Sequence, residues 1–153
     1  MSYFLAASIG GLVAFLFSVP AILLEIIERG RVQNLPLLVD IKTIFGKRLE
    51  QGEIFFAAVF FYVASGALMA AAYVLFVNQD WLFITRSPYS FLSLIIFSVG
   101  SWIVLGGLLM PALRMGFFGA KEGRWVWLEL LSGMLLVGFG VWIVVKYFQP
   151  SFF

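Results

Sequence analysis

The sequence predicts an all-α integral membrane protein, a four-helix transmembrane bundle with a short cytoplasmic interfacial helix, and three observations lead there. Of 153 residues 63% are hydrophobic and only 12% charged, roughly half the charge (about 25%) with which soluble chains cover a water-facing surface. Mean hydropathy is +1.05. The apolar residues gather into four runs, each long enough for the roughly 20 residues a span needs. That length leaves little for an aqueous domain, so residues 1–153 read as one transmembrane domain.

The first span covers about 3–27 and carries no charge before Glu25. Its start, MSYFLAAS, lacks a basic n-region and the apolar run is long, so a mature span is expected rather than a cleaved signal. Pro20 removes one intrahelical hydrogen bond and should kink this helix near its end. A polar connection follows from Glu28 to Glu53. Within it, Pro36 suits a first helical turn, and Leu37, Leu38, Ile41, Ile44 and Phe45 recur at helical spacing opposite Asp40, Thr43 and Lys47. This predicts an interfacial helix over about 36–46, ended by Gly46. The second span is expected at about 54–77, with Glu53 favourably placed near its N-terminus and Asn78-Gln79-Asp80 as the turn beyond it. The third, at about 90–110, is stopped by Pro111. The fourth covers about 125–148, with Trp125 and Trp127 at one end and Trp142, Lys146 and Tyr147 toward the other as headgroup-level anchors.

Lys and Arg set the expected orientation. Arg29, Arg31, Lys42, Lys47, Arg48, Arg114, Lys121 and Arg124 occupy the two connections on one side, eight in all, against Arg86 and Lys146 on the other. The positive-inside rule then puts both connections in the cytoplasm of a bacterial plasma (inner) membrane and both termini on the non-cytoplasmic side. The charge of +2 therefore reports topology, and no nucleic-acid partner is expected.

The chain has no Cys and no His. It lacks thiolate and imidazole ligands, thiol nucleophiles and the usual neutral-pH general base, so no metal site, no resident cofactor and no enzymatic activity are expected. No phosphate loop or nucleophile motif appears. Small residues occur in every span, with Gly10, Gly11, Gly66, Gly106, Gly107 and Gly133 as the expected packing positions, because helices in lipid associate where backbones can approach. A ligand groove beside Gly106 and Gly107 is the alternative reading of that pair. Two acids fall inside spans. Glu129 lies near a helix N-terminus, where the macrodipole favours it, whereas Glu25 lies near a C-terminus and needs a partner. Arg29 and Arg114 are expected at similar depth. They suggest a carboxylate and arginine cluster locking helices, with a proton or cation relay as the alternative. Eighteen Phe, five Trp and five Tyr exceed two aromatic belts; most should face lipid or fill the bundle. An outer face contacting a second subunit, a quinone or a carotenoid is the functional alternative.

Gly10 and Gly11, Leu35-Pro36 followed by Asp40, Gly66, Trp102, Met110-Pro111, Gly116, Gly119 and Gly133 together resemble an uncharacterised family of small four-span bacterial membrane proteins. The resemblance runs over most of the chain and implies the same four-span fold, with no known activity. Members usually carry a histidine four residues before the second-span and fourth-span glycines; Tyr62 and Glu129 stand at those places here, which marks them as a polar pair for the bundle interior. The function expected from packing surface without chemistry is a non-catalytic accessory or scaffolding subunit of a larger membrane assembly, or a homo-oligomer in the bilayer. The alternative is a small oligomeric transporter or proton or cation channel using Glu25, Glu129 and Tyr62.

Overall fold

The computed structural model describes residues 2–28, 38, 41–44, 47–82 and 84–148, apart from the side chains of residues 25, 28, 43 and 51. Four helices make up almost all of it: α1 (Tyr3–Glu28), α2 (Gln51–Asn78), α3 (Phe91–Ala112) and α4 (Val126–Phe148). Each is long and apolar enough to cross a membrane. The bundle buries larger side chains such as Met69, Tyr73, Leu94 and Met134, but much of its apolar surface faces outward. Phe4, Ile26, Phe56, Phe60, Leu68 and Leu108 point outward at 64–85% exposure, while Ala6, Ala14, Ala21, Ala58, Ala70, Ser18 and Ser98 are buried. Hiding large apolar groups gains nothing where the surroundings are equally apolar, so small side chains take the contacts.

α1 packs most closely on α2 and α3 on α4, with α1 also lying against α4. The α1–α2 seam forms where Gly10 meets Gly66. A Cβ at Gly10 would collide with the Gly66 carbonyl oxygen and Ala70, and one at Gly66 would lie 2.7 Å from the Ala14 Cβ. Gly11 makes only ordinary contact, its Cβ position lying 3.5 Å from that of Ala67. On α4, Gly138 faces Ser98 and Gly140 faces Val13. At Gly107 a Cβ would meet nothing within 4 Å, so among the described residues it makes no helix contact. Gly106 lies beneath the ring of Phe118 from the following connection.

The ends of the helices explain their lengths. α2 begins a turn earlier than expected because the Glu53 carboxylate accepts the Glu50 backbone N–H at 2.9 Å, half of a capping box. Ser90 caps α3 by accepting the Ser93 N–H. Pro111 does not stop α3. It has no N–H to donate to the preceding turn, and the ladder slips to five-residue spacing over Leu105–Leu109, with Met110 N–H donating to the Leu105 carbonyl; the helix then continues to Ala112. α2 and α3 end in the same way. Trp81 N–H donates to the Phe76 carbonyl and Asp80 N–H to that of Val77; Met115 pairs likewise with Met110 and Arg114 with Pro111. These are Schellman caps, in which the left-handed position belongs to Asp80 (φ 55°) and Arg114 (φ 65°) rather than to the usual glycine. Each carries the expected apolar clasp: Trp81 rests edge-on against Phe76 with ring centroids 5.5 Å apart, and Met110 and Met115 are buried in one cluster.

The interfacial helix expected over 36–46 falls mostly outside the described residues, and none of its described residues is helical. Thr43–Ile44 (β1) pairs antiparallel with Lys47–Arg48 (β2). Lys42 accounts for the difference. Its N–H donates to the Glu122 carboxylate at 2.6 Å and its carbonyl accepts Leu49 N–H at 2.9 Å, so neither group is available to a helical ladder. Ile41 is buried with Met110, Met115, Val126 and Leu130. The Lys42–Glu122 bond also places the two basic connections at the same end of the bundle, called the basic end below.

Candidate functional site

The structure brings together part of the expected polar cluster. Tyr62 on α2 donates its hydroxyl to the Gly133 carbonyl on α4 at 3.2 Å. A side chain at Gly133 would run into the Tyr62 ring, with Cε2 at 2.8 Å. One turn earlier Glu129 is half-buried in the first turn of α4, where the helix dipole favours its charge. Tyr62, Ser65, Glu129 and Gly133 line one cavity of about 10 Å³, room for a single water. Tyr62 and Glu129, the polar pair expected for the bundle interior, thus line the same cavity. Arg114 does not join them: it is exposed and holds the left-handed place in the α3 cap. Arg29 and the side chain of Glu25 lie outside the described residues.

A second polar knot, without a sequence motif to announce it, closes the opposite end. The Tyr73 hydroxyl sits 2.9 Å from the Ser93 hydroxyl and accepts the Tyr89 N–H at 2.8 Å, joining α2, α3 and the connection between them. Tyr73 and Phe76 also meet Phe97 edge-to-face, with centroids 5.2 Å apart in each case. Burial pushes the Tyr89 phenol above its ordinary pKa, with Tyr73 beside it adding to the effect, so Tyr89 remains neutral through the physiological range.

Beyond this knot α2 and α3 part. α2 is committed to α1 and α3 to α4, and the side between them opens as a groove of about 640 Å³. Leu68, Met69, Ala72 and Phe76 form one wall; Ile96, Gly100, Ser101 and Val104 form the other. It extends from Trp81 and Leu82 at one end to Leu109 near the other. A Cβ at Gly100 would meet nothing within 4 Å, so this stretch of α3 presents bare backbone to whatever occupies the groove.

A third concavity, of about 320 Å³, lies at the basic end between Trp102, Phe117, Phe118, Arg124 and Trp127. The alternative reading of Gly106 and Gly107 pointed near it, for Phe118 packs on Gly106. Its construction was not legible, since it needs the slipped turn of α3 and a phenylalanine at φ 49°. Among the described residues no group of three or more His, Cys, Asp or Glu side chains could hold a metal ion.

Comparison with known protein families, curated proteins and solved structures finds no match to this chain.

Proposed function

We propose that the chain is a non-catalytic accessory or scaffolding subunit of a larger membrane assembly, and that a transmembrane helix of a partner seats in the α2–α3 groove. The groove itself is the observation that carries this reading. It runs along two helices within their apolar stretches, it is walled almost entirely by carbon, and Ala72, Gly100 and Ser101 line it. Small residues facing outward between two ridges of large ones admit a helix backbone, which is how helices associate in lipid. Filling the groove tests the reading. After extraction in mild detergent, native mass measurement should find the wild-type chain with a stoichiometric membrane partner. Ala72→Phe combined with Gly100→Leu should release that partner and leave a folded monomer. A lone wild-type monomer under every mild condition would sink the idea.

A second reading, a proton or cation pathway, draws support from Tyr62 and Glu129 lining one water-sized cavity, since intramembrane acids mark such pathways. Under it, Glu129→Gln abolishes a pH-driven flux in proteoliposomes; unchanged flux, or none in the wild type, removes it.

A further inference from the structure

The concavity at the basic end has the construction of a binding site for an amphiphile. Its walls are aromatic and held in place. Trp102 donates its indole N–H to the Trp127 carbonyl at 2.9 Å, tying α3 to the first turn of α4. The Phe118 ring packs against Trp102 with centroids 4.7 Å apart and rests on Gly106, where any side chain would displace it. The volume, about 320 Å³, is at the lower limit of ligand pockets, roughly 300–1,000 Å³. It suits a headgroup with the first carbons of its chains, and a whole lipid would exceed it.

The charge on its rim is of one sign. Arg124 lines the concavity and its guanidinium carbon lies 5.7 Å from the Trp125 ring centroid. Among the described residues Arg124 has no carboxylate partner. The nearest acid in sequence, Glu122, is buried and its carboxylate is turned to the Lys42 amide. Arg124 also stands just ahead of the N-terminus of α4, where the helix dipole opposes a cation. Lys121 and Arg114 add positive charge along the same connection. A bound anion relieves both the dipole and this repulsion, whereas a headgroup with its own ammonium would meet them.

We infer that this notch binds the phosphate headgroup of an anionic phospholipid, with Arg124 holding the phosphate and Trp102, Phe118 and Trp127 receiving the glycerol and the upper acyl carbons. The bilayer is the source, because a free inorganic anion would make no use of three aromatic walls, whereas amphipathic indoles sit at headgroup level. Guanidinium pairs with phosphate oxygens through two parallel hydrogen bonds, which lets a single arginine hold the headgroup.

Native mass measurement of the full chain, equilibrated with equimolar phosphatidylglycerol and phosphatidylcholine in detergent, decides the matter. The wild type is expected to retain phosphatidylglycerol over phosphatidylcholine by about tenfold, the scale of one charge-assisted contact. Arg124→Gln, an exposed change that leaves the aromatic walls intact, should remove most of that preference, and Arg114→Gln, on the same connection but away from the notch, should keep it. Millimolar inorganic phosphate should leave the bound lipid in place. Five results overturn the inference: no preference in the wild type, preference for phosphatidylcholine, an Arg124→Gln chain that binds like the wild type, equal loss in both arginine variants, or displacement of the lipid by inorganic phosphate. The last would mean a simple anion site.

Discussion

Gly10→Leu should destabilise the bundle by roughly 2–3 kcal/mol, as overpacking at a closed contact does. The new side chain has no direction to yield in: it meets the Gly66 carbonyl oxygen and the Ala70 Cβ, and backbone cannot rotate away as a side-chain tip can. Gly107→Leu is the matched control. It brings the same gain in helix propensity, about 1 kcal/mol, but its Cβ meets nothing within 4 Å. Unfolding of both variants in mixed micelles, followed by far-ultraviolet circular dichroism, should show Gly10→Leu clearly below the wild type and Gly107→Leu at or above it. Equal stability of the two would mean that the α1–α2 seam does not depend on close backbone approach. The difference between the variants is more informative than either alone, because propensity cancels and only the contact remains.

Glu122→Ala should release the short hairpin at the basic end. Glu122 is 4% exposed and accepts the Lys42 N–H at 2.6 Å, the bond that holds β1 and β2 against the 111–124 connection. Hydrogen bonds to a charged acceptor contribute about 1.5–3 kcal/mol, and removing the acceptor leaves the amide without it. Local opening should therefore become about ten to a hundred times more frequent, and trypsin should cut after Lys42, Lys47 or Arg48 faster by a similar factor, since cleavage follows the open population. Glu122→Gln keeps a carbonyl acceptor and should recover part of the protection. Wild-type cleavage rates in the alanine variant would show that the hairpin is held by Ile41 and its apolar neighbours and that the carboxylate adds nothing.

Legibility of this chain differs by scale. The four spans could be read because hydropathy over twenty residues is a local sum, and each observed helix lies within a few residues of its expected range. Gly10, Gly66 and Gly133 could be singled out because small residues in an apolar helix have a packing reason. Gly107 has the same local appearance and makes no such contact, since nothing near it in sequence says which side of α3 faces α4. The end of α3 was misjudged for a related reason. Pro111 reads as a stop, yet a helix can pass it by slipping one residue in its hydrogen-bond ladder, as it does over Leu105–Leu109. The expected helix over 36–46 failed at Lys42 and Thr43–Ile44 because a carboxylate 80 residues away captured a backbone amide. Glu122 itself reads as one more solvated charge in a loop, and only burial distinguishes it.

The sequence by itself determined the solvent, the number of spans and the end of the bundle on which charge collects, because these depend on composition summed over a helix and on where lysine and arginine interrupt it. Tertiary structure alone decided the cavities. The opening between α2 and α3 exists because α1 and α4 have claimed their other faces, and the aromatic notch exists because a slipped turn in α3 leaves Gly106 open beneath Phe118. Both are properties of how separate segments meet, and the physical reason they escape a reading of the chain is that contact between distant residues is set by shape and mutual exclusion, for which no local periodicity stands in.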